Sequence, residues 1–429
     1  MDDVRVKRAD RRQPAFEMVD LERLVPADHR VRDVWSFVET LDLGMLYARI
    51  KARGETAGRP AADPRILLAL WLYATIESIG SARALGRLCE HHLIYRWICG
   101  GVGVNHDLLR RFRNESGDFL DQLLSQSLTA LIEEGLIELD EMITDGTKVR
   151  ASASRSSMHR KPRVAEIEAA LTQRIAGLRA ELDADPAATE RRLKARQLAA
   201  TEQRARRVRA ARDKFASREA ERAVRAKQRP GEAARAAADP PRVSISDPDA
   251  RLMKMADGAT RPCYNVQVGT ADEFVVAIQP TDRGNDRGLA PAVVAEMQRR
   301  CGRAPARLLA DTTAMTEDDI VGFAASHPGM AVFAPPKACS ETASPASRAR
   351  YERELARQPE CLKDWRARMG SDAGKQVYGR RSRTEHPHAR MKNCGFGRML
   401  VRGMAKVRAV CLLHAVAHNF ILAGARRAA

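Results

Sequence analysis

From residue 15 to about 135 the apolar positions recur at three- and four-residue intervals, the period of helices that bury one face. Pro64 opens the most apolar of these segments, RILLALWLYATIES (65–78), and Gly80 stops it. Ser81 then stands as the N-cap of a helix beginning Ala82-Arg83-Ala84-Leu85. After Gly100-Gly101-Val102-Gly103 come the turn Asn105-His106-Asp107 and a basic helix, Leu108–Arg113. Helix, turn and Arg-rich helix form a helix-turn-helix-like arrangement, which makes Arg110, Arg111 and Arg113 candidate DNA contacts. A plain helical bundle with a solvated basic face is the competing reading.

The period then changes. Leu136–Val149 alternates around Asp145 and predicts a strand. From about 157 to 242 the chain is rich in Ala, Arg, Glu and Lys, with Phe215 its one aromatic and Leu and Ile at helical spacing from Ile167 to Leu198. That composition predicts one long antiparallel helical hairpin, turning near Asp183–Ala188 or later, before a hinge at Asp239-Pro240-Pro241 and Asp247-Pro248. Strands return as a hairpin, Tyr264–Gly269 and Phe274–Gln279, around Ala271-Asp272-Glu273. A helix over Asn285–Arg300, a strand Arg307–Ala310, a helix capped by Thr316 and a strand Met330–Ala334 follow. After Pro335-Pro336 a polar loop is expected, then helices from Ser371 onward. This order is that of a mixed α/β domain holding a helical block after its first strand.

At 429 residues the chain accommodates two or three domains. Its net charge of +18 implies an extended polyanionic partner. The eight cysteines are scattered, with no CxxC or CxxH cluster, which argues against a zinc site and against a disulfide framework. The N-terminus lacks the apolar core of a signal peptide. Ile66–Ile76 and Ala409–Ala423 are too short or too interrupted by histidine to span a membrane, so a soluble, intracellular protein with no membrane partner is expected.

Three acids stand out. Asp145 lies in the first predicted strand, Asp311 ends the strand Arg307–Ala310, and Glu385 lies on a late helix. Read as one helix, Tyr378, Arg381, Glu385 and Lys392 fall within an arc of roughly 60°. One acid on a stripe with two cations and a tyrosine suits a phosphate-facing surface. Three carboxylates brought together would hold two divalent cations and stabilise both oxygens of an in-line phosphodiester displacement, with Mg²⁺ expected and Mn²⁺ as substitute. Taken singly, each Asp is more simply a turn or cap residue; Asp257, Asp282, Asp286, Asp318 and Asp319 read that way. His386 and His388 read as solvent- or DNA-facing rather than metal ligands, and Trp365 as a packing residue rather than a base-stacking one.

The spacing Tyr-(2)-Arg-(3)-Glu-(6)-Lys resembles the motif around the last acid of DDE transposases of the insertion-sequence-4-like superfamily. More closely, the chain is similar to bacterial transposases of the IS1182 family. The matching stretches are SARALGRLCEHHLIYRWICGG with NHDLLRRFR, ITDGTKVRASAS, DPDARLMKMADG with YNVQ, WRARM, and VRGMAKVRAVCLLHAVAHN. The resemblance implies an RNase H-like α/β catalytic domain (136–156 and 243–400) interrupted by a helical, coiled-coil-like insertion (157–242). An all-α DNA-binding domain (1–135) precedes it and a C-terminal helix (401–429) follows. Asp145, Asp311 and Glu385 would be the metal-binding catalytic triad, and Tyr378, Arg381 and Lys392 would contact phosphates of the transposon end. The implied partners are terminal inverted repeats and target DNA, bound by a homodimer at the bacterial nucleoid. A catalytically impaired remnant acting as a sequence-specific repressor is the alternative. Two departures carry expectations: Thr312-Thr313 stands where relatives have glycine, and Pro387 predicts a kink in the Glu385 helix.

Overall fold

The structure, a computed structural model, describes residues 20–52, 60–184, 188–228, 240–339, 342 and 344–429. Eight helices come first: α1 (Leu21–Leu24), α2 (Arg30–Glu39), α3 (Gly44–Tyr47), α4 (Pro64–Ile76), α5 (Ala82–His91), α6 (Leu93–Cys99), α7 (His106–Glu115) and α8 (Gly117–Glu133). Local signals fix their ends. Asp63 caps α4 ahead of Pro64, Ser81 accepts from the Ala84 amide at α5, and Asn105 accepts from Leu108 at α7. Every residue of α4 except Arg65 is buried, as its unbroken apolar run requires.

The strands and remaining helices follow: β1 (Glu141–Arg150), β2 (Met158–His159), α9 (Lys161–Ala184), α10 (Ala188–Gln228), β3 (Val243–Ser244), β4 (Arg251–Lys254), β5 (Thr260–Ala271), β6 (Phe274–Thr281), α11 (Ala290–Cys301), β7 (Arg307–Ala310), α12 (Glu317–Ser326), β8 (Ala331–Phe333), α13 (Pro345–Ala356), α14 (Glu360–Gly370), α15 (Asp372–Gly379), α16 (Glu385–Asn393) and α17 (Met404–Arg427). The main sheet is mixed, in the order β4-β5-β1-β7-β8, with β6 also paired to β5. β1 runs antiparallel to β5, and β7 and β8 run parallel to β1. Asp272 and Glu273 both adopt positive φ in the two-residue β5–β6 turn, the backbone that a tight hairpin demands.

One continuous core joins the N-terminal helices, the sheet and α17. α17 is long and apolar enough to cross a membrane, yet it is the core helix, lying against α4, α8 and β6. Its Asn419 pairs with the Val275 amide and carbonyl, and Arg426 donates to Leu136 O and Asp272 O, pinning the helix to the β5–β6 hairpin. A second, smaller core lies inside the α9–α10 pair: Val164, Leu171, Ala205, Val208, Ala211 and Phe215, with Val243 of β3. Cross-pairs Lys161–Glu219, Glu168–Arg212 and Arg179–Glu202 run in opposite directions along the two helices, so the pair is antiparallel.

Five expectations need correction or placing. The helix expected from Asn285 begins at Ala290, and the strand expected from Leu136 begins at Glu141. The stretch expected as a polar loop after Pro336 contains α13 and α14, begun by Ser344 capping ahead of Pro345 and by Pro359 ahead of Glu360. Of the turn expected near Asp183–Ala188, residues 185–187 lie outside the described residues, as does hinge residue Asp239.

Candidate active site

β1 and β7 are parallel neighbours with Thr144 opposite Ala310. One residue further along each strand, Asp145 and Asp311 therefore leave side by side toward the same face. Met142 and Leu308–Ala310, all buried, fix the two strands beneath them. Asp311 starts a turn in which its carbonyl accepts from Ala314 at 3.0 Å and its carboxylate accepts from the Thr313 hydroxyl at 2.8 Å. Neither Thr312 nor Thr313 has positive φ, so this turn does not require the glycines expected there.

Arg381 joins the two acids. Its Nη2 lies 3.7 Å from Asp145 Oδ1 and 3.7 Å from Asp311 Oδ1. Burial raises the pKa of Asp145, Arg381 opposes that shift, and the charges of Asp286 and Asp311 add to it. Burial also raises the pKa of the Tyr378 hydroxyl, against the pull of Arg381 and with Asp311 and Asp145 reinforcing it. Tyr378 and Arg381 thus share the field of the carboxylate pair.

The expected single helix through Tyr378–Lys392 is not what forms. α15 ends at Gly379, a 3-10 segment spans Arg380–Thr384, and α16 restarts at Glu385. Each 3-10 residue advances 120° rather than 100°, so five of them rotate the stripe by about 100°. Glu385 is accordingly exposed, and His388, one turn on, meets Asp145 instead, with Nε2 3.9 Å from Oδ2. The His388 side chain is 8% exposed and neither ring nitrogen has a hydrogen-bond partner. Burial, then the charges of Lys392, His418 and Arg381, push its pKa down to about 4, so the ring is neutral. Lys392 is exposed. Pro387 does not kink a helix interior: it sits in the first turn of α16, where backbone N–H groups have no intrahelical acceptor.

On the opposite face of β1, Asp286 Oδ1 accepts from Asn265 Nδ2 at 2.7 Å and Gln267 Nε2 at 2.6 Å. Asp286 and Gln267 crowd the bare Cα of Gly146, whose added Cβ would meet Asp286 Oδ1 at 2.1 Å. Sequence reasoning set Asp286 aside, missed Thr313, and read His388 as solvent- or DNA-facing. The available signal for Asp286 was a glycine inside a strand, which marks a close approach.

Of the other candidates, Arg110 and Arg111 are exposed on α7, Arg110 paired with Asp107 at 3.2 Å. Arg113 is a correction: at 7% exposure it stacks 4.4 Å over the Trp71 ring and donates to Gly80 O at 2.5 Å. It lies one turn beyond buried Leu109 on the core side of α7, which takes it away from any DNA-facing surface. Trp365 is buried and donates to Ala334 O at 3.0 Å, the packing role expected. His386 is exposed beside Glu273.

Paired carboxylates are hard oxygen donors of the kind that hold Mg²⁺ or Mn²⁺, so the chemistry of Asp145 and Asp311 fits such ions. The assembly is partial: among the described residues no three His, Cys, Asp or Glu side chains converge closely enough to hold a metal, and Glu385 stands outside the pair.

Residues 19–115 match the family model Transposase domain (DUF772), and residues 234–420 match the Transposase DDE domain. The chain is a DDE transposase. The DDE-domain match contains Asp311 and Glu385 and begins beyond Asp145, and the transposase's N-terminal match contains α1–α7 with Arg110 and Arg111. Neither the curated proteins nor the solved structures contain a match to this transposase. As a transposase it acts on DNA.

Proposed function

We propose that this transposase cleaves phosphodiester bonds at the ends of an IS1182-type insertion sequence and joins the freed ends to target DNA. The observation that carries the proposal is the juxtaposition of Asp145 and Asp311 on parallel neighbouring strands with Arg381 reaching both. The order β6-β5-β1-β7-β8, antiparallel then parallel, supports an RNase H-like catalytic domain (136–156 and 243–400) around an insertion (157–242). Residues 1–135 would form the DNA-binding domain and 401–429 the C-terminal helix. The protein would work as a homodimer on terminal inverted repeats at the nucleoid.

In this reading Asp145 and Asp311, joined by Glu385, would hold two Mg²⁺ or Mn²⁺ ions. When bound, such ions lower the barrier by stabilising the attacking and leaving oxygens. Glu385 is the third carboxylate, at the start of the helix whose next turn abuts Asp145. Arg381 offers its guanidinium fork to non-bridging phosphate oxygens, and Lys392 adds a point charge. The hydroxyl of Tyr378 keeps its proton, because its pKa is raised, and can donate to a phosphate oxygen. Water attacks phosphorus, the P–O3′ bond breaks and the 3′-oxygen leaves as a hydroxyl; that hydroxyl then attacks a target phosphate, and the target's own P–O3′ bond breaks to release a 3′-hydroxyl. No covalent protein–DNA bond forms in either step.

The test is a supercoiled donor plasmid incubated with Mg²⁺ or Mn²⁺. Nicks or double breaks at element ends, lost in Asp145→Ala and Asp311→Ala, are expected. End binding without any cleavage by the unmodified protein overturns the proposal and leaves the repressor.

A further inference from the structure

α10 carries fourteen Arg and Lys against five acidic residues, a net +9 that is half of the chain's +18. Its partner α9 balances four basic residues against four acidic ones. The surplus is therefore a property of one helix rather than of the hairpin.

The apolar face of α10, Ala205, Val208, Ala211 and Phe215, is buried in the hairpin core. Away from it, Arg204, Arg206 and Arg209 are exposed, and among the described residues none has an acidic partner. Arg212 contrasts with them, since it pairs with Glu168 at 2.9 Å. Arg207 is half-buried with no acceptor for its Nε. Burial, then the charges of Arg402 and Arg204, lower its pKa. Arg402 is held there by its Nε donating to Ser152 O at 2.8 Å. Cations gathered without counter-charge repel one another, and an anion laid across them removes that repulsion.

The surface is also fixed relative to the carboxylate pair's sheet. Lys214 Nζ meets Asp249 Oδ1 at 2.9 Å and Asp282 Oδ2 at 3.4 Å. Arg218 reaches Asp282 at 3.3 Å, and Glu221 receives Arg251 of β4 at 2.8 Å. Asp249 in turn accepts from the Met404 amide at the start of α17.

We propose that the outward face of α10, from Arg192 to Arg209 with Arg402 beside it, is a second DNA-binding surface that grips the duplex phosphate backbone without reading sequence. The span is about 26 Å at 1.5 Å per residue, the length of roughly seven base pairs. The proposal rests on DNA being the substrate and assigns a surface on α10, an element that does not carry the Asp145–Asp311 pair.

The test uses full-length protein and a short fluorescent duplex of arbitrary sequence, with binding followed by polarisation across a salt series. The triple variant Arg204→Gln, Arg206→Gln, Arg209→Gln should bind more weakly. Its log–log salt slope should be shallower by roughly 2 to 3, about 0.9 for each phosphate no longer neutralised. Replacing Arg163, Arg174 and Arg179 of α9 by Gln should leave the slope unchanged. An unaltered slope in the α10 variant overturns the proposal. So does a variant that binds duplex normally but loses self-association in sedimentation velocity, because the face would then join copies of the chain. Binding requires no cleavage, so a protein that binds through α10 yet never cuts sinks the catalytic reading and leaves this one standing.

Discussion

Replacing Gly146 with alanine tests the architecture beneath Asp145. The new Cβ would lie 2.1 Å from Asp286 Oδ1 and 2.5 Å from Gln267 Nε2, so something must move by about an ångström. β1 cannot easily yield, because β5 and β7 hydrogen-bond to its two edges. The Asp286 carboxylate is the part free to retreat, and it then takes the acceptor from the Asn265 amide (1% exposed) and leaves Gln267 (3% exposed) only its 3.2 Å bond to Asn265 Oδ1. At about 1.5–3 kcal/mol for each bond to a charged acceptor, losing both costs roughly 3–6 kcal/mol. Urea unfolding followed by tryptophan fluorescence reads it. Donor cleavage should fall by about a hundredfold if the backbone carrying Asp145 shifts by an ångström. Asp286→Ala removes the nearer obstruction and the same two hydrogen bonds, so Gly146→Ala and Asp286→Ala together should cost about 2 kcal/mol less than their sum. A Gly146→Ala protein within about 1 kcal/mol of the parent, or a strictly additive cycle, would refute the reasoning.

Arg113→Met should cost about 2–4 kcal/mol in urea unfolding, through the lost stacking on Trp71 and an orphaned Gly80 carbonyl. Arg110→Gln and Arg111→Gln should stay within about 0.5 kcal/mol of the parent by the same measurement. Arg300, whose side chain is fully buried, ties Glu296 to Asp121, so Arg300→Met should cost roughly 3–5 kcal/mol and lower the melting temperature measurably. Burial holds His414 and His418 near pKa 4 against 6.5 when unfolded, so between those values the unfolded chain binds more protons. Stability should therefore be level above pH 6.5 and fall as pH drops toward 4, by up to about 3 kcal/mol per histidine; His414→Phe should flatten the acid limb of a pH-dependent urea series.

Much of the fold was legible because local signals and global packing agree. The strand Arg307–Ala310 forms with the ends expected, Thr316 caps α12 in a reciprocal box with Asp319, and the β5–β6 hairpin turns where Asp272-Glu273 sits. The α9–α10 pair was legible from its Ala-, Arg-, Glu- and Lys-rich composition together with Leu and Ile at helical spacing. What failed was phase. Arg113 was counted with a basic run, although Leu109 four residues earlier places it on the buried face. Composition said "basic"; the helical period, applied residue by residue, said "core". The short helices α13 and α14 were lost because each begins at a proline beside polar residues, a pattern shared with loops.

The Tyr378–Lys392 stripe carries the same lesson into the chemistry. A motif fixes spacing along the chain, but spacing becomes geometry only once a helical pitch is assumed. At 100° per residue the four side chains share a face; with five residues at 120° the face turns by about 100° before Glu385. Tyr378, before the 3-10 segment, and Arg381, in its first turn, share the field of the acid pair. Glu385, after the segment, stands outside that pair, and the neutral ring of His388 takes the place against Asp145. The difference between a closed triad and a pair plus one therefore rests on about a quarter-turn of phase. A 3-10 segment holds poorer hydrogen bonds than an α-helix, so it is the weakest link in this wall and the cheapest place to change the phase. Gathering the third carboxylate asks far less of the fold than rebuilding a strand would, because β1, β7 and the acids they carry stay where they are.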